Sequence, residues 1–288
     1  MRQLIVTGDD FGLALPVNEA IEIAHRDGIL SSASLIVGGA AVADALERAR
    51  RLSRLRVGLH IVLVEGRPVL SPESVPDLVD AGGEFRSDLM ASGFRFFFRP
   101  RVRAQIEAEI RAQFEAFRET GLALDHVNAH NHMHLHPTVL GILLRVGREF
   151  GLDAVRVPYE PPGASARASG GGRLARTVAA LALAPWTSLL RSRLRRGRIK
   201  FNDFVFGLND TGRMEEPLVL RQLDELPEGV TEMYFHAATR RCPELDRNMA
   251  EYRCQEELLA LTSDRVRNAL ATLGIRIIAF GDLPAPGS

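Results

Sequence analysis

Histidines are concentrated in one short stretch of the chain. Five of the eight histidines lie between His126 and His136, and Pro137 follows immediately. If this stretch is a strand, its even-numbered residues share one side and its largely apolar odd-numbered residues share the other. Proline suits the first turn of a helix. We therefore predict a strand from which imidazoles project, at its carboxyl end and in the loop that follows, where α/β enzymes carry their functional groups.

Crowded imidazoles need partners for their lone pairs. A solvated polar loop, or histidines that satisfy one another, would account for the cluster without any function. A bound divalent metal accounts for it better, because imidazole is a common metal ligand and its second nitrogen can be held by a neighbouring group.

Short apolar runs alternate with helical patterns along the whole chain. This alternation predicts a parallel α/β architecture, and about seven strands are enough to close an irregular, TIM-like (β/α) barrel. The length of 288 residues suits a single domain covering residues 1–288. The predicted strands are residues 3–7, 33–37, 57–62, 122–128, 154–159, 204–206, 230–236 and 275–280.

Polar residues occur at three further strand ends. These are the pair Asp9 and Asp10, then His60, and then His236. Each has an ordinary structural interpretation, such as a turn or a buried core histidine, but the carboxyl ends of barrel strands converge on one face. One carboxylate and two imidazoles leave positions open on a divalent ion, as in catalytic metal sites.

Such an ion brings the pKa of a bound water to about 7. A second carboxylate can then take the proton from this water, and a further histidine can protonate the leaving group. This division of roles fits the hydrolysis of an amide or an ester.

Two segments indicate contacts beyond the barrel. Residues 64–100 form a long connection, predicted to be a functional loop, in which residues 94–99 place aromatic side chains between arginines. Core packing, a lip for an apolar substrate and a membrane contact all fit those residues. Residues 163–172 are predicted to be a linker, and residues 173–200 a basic amphipathic segment that Pro185 should break or kink. The basic segment, within an insertion at about 163–200, fits a membrane-surface helix and an ordinary peripheral helix equally well.

Composition bounds the partners and the compartment. A formal net charge of zero argues against nucleic acid as a partner. Two cysteines without a disulfide pattern and the lack of a leader sequence favour the cytoplasm, with peripheral attachment to the inner face of the membrane if the basic segment binds lipid.

Four motifs, in order, resemble one family. The motifs at residues 7–12, 58–60, 126–136 and 232–236 are similar to those of the YdjC-like carbohydrate deacetylases, distant relatives of the NodB-homology polysaccharide deacetylases. The resemblance implies an irregular (β/α) barrel, one divalent metal and the removal of acetyl groups from N-acetylated sugars. Zinc is favoured over magnesium, which prefers more oxygen ligands.

The resemblance also implies roles for individual residues. Asp9 corresponds to the catalytic base and His236 to the general acid. Arg156 would orient the base, and the backbone N–H of Tyr159 would help to hold the oxyanion. The implied metal ligands are Asp10, His60 and His130, and the implied substrate contacts are Tyr159, His132, His134 and Phe11.

More narrowly, the chain resembles the hopanoid-biosynthesis-associated branch of that family. An N-acetylglucosaminyl hopanoid is then the implied substrate, which the segments 94–99 and 173–200 would suit. Two departures stand out. Residues 234–238 replace a Cys-His-Pro-Gly-like sequence, so the loop that carries the general acid is expected to differ in detail, and Asn128-Ala129 replaces an Asp-Ser pair, so some support around the histidines is expected to be missing. A metal-dependent phosphodiesterase and a non-catalytic glycolipid-binding barrel are the alternatives.

Overall fold

Seven parallel strands form a single curled sheet in the computed structural model, which describes residues 1–284. The sheet order is β4-β3-β2-β1-β6-β5, and β7 pairs with the first half of β1, beside β2. The predicted α/β class and strand number are therefore confirmed. The strands are β1 (Arg2–Phe11), β2 (Ser32–Leu35), β3 (Arg56–Ile61), β4 (Val127–Ala129), β5 (Phe204–Phe206), β6 (Gly229–Phe235) and β7 (Arg276–Ile278).

An irregular segment links the two ends of this strand order. Ala154 and Val155 form isolated parallel bridges, to Lys200 on one side and Val127 on the other. Arg156 N donates to Val127 O at 3.1 Å, and Val205 N donates to Tyr159 O at 2.9 Å. Residues 154–159, predicted as a strand, thus bridge β4 and the β5 side without forming a regular strand.

Helices surround the sheet, and none within residues 1–284 is long and apolar enough to cross a bilayer. They are α1 (Leu15–Asp27), α2 (Val42–Arg51), α3 (Leu89–Phe98), α4 (Pro100–Glu119), α5 (Pro137–Glu149), α6 (Pro162–Ser169), α7 (Arg173–Gly197), α8 (Glu216–Asp224), α9 (Pro243–Asn248), α10 (Cys254–Thr262) and α11 (Asp264–Thr272).

Local sequence explains where several elements begin and how they bury their side chains. Pro137 occupies the first turn of α5, as predicted, where its missing N–H breaks no helical hydrogen bond. The last eight residues of β1 are all buried, including both aspartates. Such continuous burial is typical of a parallel strand covered on both faces. The two aspartates are thus held in a rigid strand close to its carboxyl end.

Several sequence predictions were wrong in local detail. The histidine stretch is a strand only as far as Ala129. Residues 130–135 form a 3₁₀ turn in which Asn131 and His132 have positive φ. The even-numbered side chains therefore point in different directions. Residues 94–99 lie mostly in α3, and residues 163–172 are mostly helix α6 rather than a linker. Pro185 does not break α7, which runs without interruption from Arg173 to Gly197. Leu181, whose carbonyl loses its helical partner there, is exposed, so water can replace the bond.

Candidate active site

Asp10, His60 and His130 converge as the sequence predicted. They come from β1, the end of β3 and the residue after β4, and one ligand atom from each lies within 4.8 Å of the others. Asp10 has a φ of 63°, a left-handed conformation that is costly for a non-glycine residue. The strained backbone therefore occurs at the residue that gives the cluster its carboxylate.

The distances in this cluster fit a shared ion better than direct hydrogen bonds. Asp10 Oδ1 lies 3.4 Å from His60 Nε2 and 3.5 Å from His130 Nδ1. Both carboxylate oxygens of Asp10 are buried, and neither has a hydrogen-bond partner in residues 1–284. Ligand bonds of about 2.1 Å at tetrahedral angles would separate ligand atoms by roughly 3.4 Å. The three residues could therefore hold a divalent metal, and their mixed carboxylate and imidazole donors suit zinc.

Asp9 lies beside this cluster in a buried ion-pair network. Arg156, fully buried, donates to Asp9 Oδ2 at 2.6 Å and to Oδ1 at 2.9 Å, and it also binds both carboxylate oxygens of Glu232 at 2.8 Å. Burial alone would raise the pKa of Asp9, but the charge of Arg156 and its hydrogen bonds hold that pKa well below its usual value. Asp9 is therefore a carboxylate at neutral pH and is fixed in position by Arg156.

His236 completes the group at the end of β6. Its Nε2 lies 4.0 Å from Asp10 Oδ2, and its backbone N–H donates to Glu257 Oε2 at 2.5 Å. Glu257 is fully buried and also accepts from Met214 N at 3.0 Å. The carboxylate of Glu257 thus fixes the loop that carries His236.

The cluster opens into a cleft with two connected parts. A cavity of about 230 Å³ is lined by Asp9, His60, His130 and His236, and a larger neighbouring cavity of about 820 Å³ reaches Asp10. Glu65 and His130 line both cavities. The smaller cavity is lined by Asp9 and the histidines of the candidate site, whereas the larger one, which reaches Asp10, offers room for an extended ligand.

Comparison with known proteins identifies the family and the fold of this chain. The sequence matches the YdjC-like protein family over residues 3–272. The chain belongs to the YdjC-like family. A protein of Enterococcus faecalis V583, solved at 1.70 Å, has the same fold with a TM-score of 0.75, at 24% identity and with 97% of both chains covered.

Curated relatives of this YdjC-like chain carry the name carbohydrate deacetylase. The protein of Brevibacillus brevis is 39% identical over 159 residues, which are 54% of this chain and 60% of the relative. The protein of Thermoanaerobacter pseudethanolicus is 27% identical over 238 residues, 83% of this chain and 82% of the relative. The first of these matches therefore spans less than two thirds of the relative's length.

His132, His134 and His136, from the histidine-rich stretch, have different environments in this YdjC-like chain. His132 lines the smaller cavity, and its Nε2 lies 3.3 Å from the hydroxyl of Tyr234. His134 is fully buried and its Nε2 donates to the carbonyl oxygen of Arg156 at 3.0 Å, so it supports the Arg156 segment instead of lining the cleft. Burial and the charge of Arg156 lower the pKa of His134 to about 3. His136 packs edge-on against Phe96 and Phe97.

Besides His134, two further residues predicted to contact substrate lie away from the cleft. Phe11 is fully buried in the hydrophobic core. The N–H of Tyr159 donates to Val157 O at 2.9 Å, which conflicts with its predicted part in holding an oxyanion. The ring of Tyr159 lines a separate cavity of about 220 Å³ against α7 and stacks with Arg191.

Sequence reasoning missed three acidic residues of the site. Glu232 binds Arg156, Glu257 holds the backbone of His236, and Glu65 Oε2 lies 3.4 Å from His130 Nε2. Glu232 could have been found, because an acidic residue inside an otherwise apolar strand needs a buried cation such as Arg156. Glu65 and Glu257 lie in a loop and a helix that carry no comparable signal.

Proposed function

We propose that this chain is a metal-dependent carbohydrate N-deacetylase. The observation that carries the proposal is the convergence of Asp10, His60 and His130 beside an arginine-paired Asp9. Membership of the YdjC-like family and the names of the curated relatives support the same reaction class. The reaction would cleave an acetamide with water to give acetate and a free amine.

Asp10, His60 and His130 would hold the ion, and zinc suits their donor atoms. When bound, the ion supplies a Lewis acid and lowers the pKa of water in the cleft. Asp9 would accept the proton of the attacking water, since Arg156 keeps its carboxylate ionised and oriented. His236, on the same cavity, would donate a proton to the leaving nitrogen.

The charges of the cleft argue against the phosphodiesterase alternative. Arg67 and Arg247 line the larger cavity, but both are paired with Glu84, at 3.3 and 2.9 Å. Arg156 is committed to Asp9 and Glu232. Acidic residues outnumber arginines in the lining of the larger cavity by five to two, so its charge does not favour a phosphate, whereas an uncharged acetamide needs no positive lining.

For the substrate we propose an N-acetylglucosaminyl lipid, with a hopanoid as the expected lipid part. Exposed apolar side chains support this choice: Met90, Phe94 and Phe98 of α3 are 85%, 67% and 62% exposed. Leu89, in the first turn of the same helix, lines the smaller cavity beside His60. A lipid surface touching α3 would thus lie next to the rim of the reactive cleft.

Helix α7 provides a second candidate contact. Leu174, Val178 and Leu181 lie on one helical face and are all largely exposed. Arginines near the carboxyl end of α7 add positive charge, which anionic lipid headgroups would attract. We therefore propose that α3 and α7 attach the protein to the inner face of the cytoplasmic membrane.

Replacement of Asp9 by asparagine tests the reaction. We expect Asp9→Asn to lower the rate of acetate release from an N-acetylglucosaminyl lipid by about 10²–10⁴-fold, because asparagine cannot accept a proton. Zinc content, measured by elemental analysis, should remain near one ion per chain, whereas the control Asp10→Asn should lose the ion. Full activity of Asp9→Asn, or its loss of zinc, would show that the roles of the two aspartates are assigned wrongly.

A further inference from the structure

Asn128 lies between Asp9 and His60 in the candidate active site and is fully buried. Its Oδ1 lies 2.6 Å from His60 Nδ1, while its Nδ2 lies 3.2 Å from Asp9 Oδ1 and 2.9 Å from Ser34 Oγ. We infer that Asn128 is a positioning residue that uses the two ends of its amide to set the proton-accepting carboxylate and a metal-ligand imidazole together. This inference rests on the proposed metal site.

The orientation of the amide follows from the charge of Asp9. A carboxylate paired with Arg156 only accepts hydrogen bonds, so the donor end of the Asn128 amide must face Asp9. The acceptor end then faces His60, whose Nδ1 must carry its proton to donate to it. The lone pair of His60 is consequently on Nε2, the nitrogen that faces Asp10 at 3.4 Å. Asp9 thereby sets the metal-binding tautomer of His60 through one side chain.

The same network continues away from the cleft. Ser34 Oγ accepts from Asn128, which leaves its hydroxyl hydrogen for His126 Nε2 at 3.1 Å. Because Nε2 accepts this hydrogen bond, the ring proton of His126 is on Nδ1, which donates to Asp125 Oδ2 at 3.1 Å. His126, the first histidine of the cluster, is fully buried and stacked on Phe280. It therefore anchors Asn128 through Ser34 and is not among the residues that line the two cavities of the cleft.

The backbone of β3 shows how tightly this anchor is packed. A Cβ atom on Gly58 would lie 2.5 Å from the ring of His126, closer than carbon atoms approach in proteins. Gly58 is thus needed so that His126 can lie across β3. Two residues of the Gly58-Leu59-His60 motif therefore take part in the network. Gly58 leaves space for the ring of His126, and His60 Nδ1 donates to Asn128 Oδ1.

The chemistry of an amide explains why asparagine fits at this position. An aspartate at 128 could still accept from His60 Nδ1, but it would place a second negative charge against Asp9. An alanine would remove both contacts. The variants Asn128→Asp and Asn128→Ala therefore separate support of the metal ligand from support of the base.

We would measure zinc affinity by chelator competition, and kcat and KM for acetate release. Asn128→Asp should bind zinc at least as tightly as the wild type, with kcat at least about tenfold lower and KM unchanged. Asn128→Ala should bind zinc about 10–100-fold more weakly. As a control for lost stability, Asn202→Ala removes another buried asparagine, which bonds only to the backbone of Val157 and Phe204, and should leave zinc affinity unchanged.

Equal zinc affinity in Asn128→Ala and the wild type would overturn the inference. So would an equal loss of affinity in Asn128→Asp and Asn128→Ala that follows their melting temperatures, because that result would indicate a purely structural role. A wild-type protein that binds no zinc would instead refute the metal site of the proposed function. The two failures are therefore distinguishable.

Discussion

At the scale of single residues, the buried Arg156 organises the catalytic side of the site. It joins Asp9 on β1 to Glu232 on β6, and Thr7 Oγ1 adds a hydrogen bond to Glu232 at 2.7 Å. One arginine facing two carboxylates leaves the group with a formal charge of minus one. That residual charge favours a cation nearby, and Asp10 is the adjacent residue along β1.

We expect Glu232→Gln to destabilise the fold by about 3 kcal/mol. Removing one partner of a buried ion pair costs about 3–5 kcal/mol, and the lower value applies because Asp9 still pairs with Arg156. Urea unfolding measures the change. The matched control is Glu107→Gln, which breaks the exposed pair with Arg145 and should cost about 0.5 kcal/mol or less. Equal losses in the two variants would show that the Arg156 network does not stabilise the protein.

The residues that could be predicted from sequence are those whose chemistry contrasts with their surroundings. His60 and His236 follow apolar strand residues, and the histidine cluster is conspicuous, so the metal and acid candidates were found. The amide of Asn128, in contrast, bonds to Ser34 and Asp9, which lie on other strands. Such contacts arise only when the sheet order is known, and local sequence does not encode that order.

At the scale of elements, strand and helix existence was more predictable than element ends. Apolar runs marked β1, β3 and β6, whereas the polar residues 130–135 looked like the continuation of β4. The positive φ of Asn131 and His132 ends that strand, and this turn is what separates His130 from the later histidines. A period of two residues cannot reveal such a turn, because the alternation of residue types continues through it.

The exposed face of α3 gives a prediction at this scale. Phe94→Ser combined with Phe98→Ser should weaken binding to vesicles that contain anionic lipid by about a hundredfold or more, since each buried phenylalanine contributes about 1.5–3 kcal/mol. Sedimentation with the vesicles measures the binding. The control Leu259→Ser removes a side chain of similar exposure, 66%, from α10. Vesicle binding that is unchanged by the α3 variant, or equally weakened by the control, would dismiss α3 as the membrane contact.

At the scale of the whole molecule, the site depends on the parallel arrangement of the strands in the curled sheet. The three candidate ligands are separated by as many as 120 positions in sequence, from Asp10 to His130, yet they meet because the parallel strands β1, β3 and β4 all end on one face. The unfolded chain cannot hold such a set of ligands together. An ion bound there must therefore stabilise the folded state specifically.

Zinc should accordingly raise the melting temperature. At a free concentration about 100 times its Kd, a ligand that binds only the folded state adds about 2.7 kcal/mol. For a chain of this size, that stabilisation corresponds to a rise of about 5 °C or more in thermal unfolding followed by circular dichroism. His60→Ala should abolish most of the rise, while Asp9→Asn should keep it, because only the first removes a ligand. An equal rise in His60→Ala would place the zinc elsewhere on the protein and separate ion binding from the cluster at the strand ends.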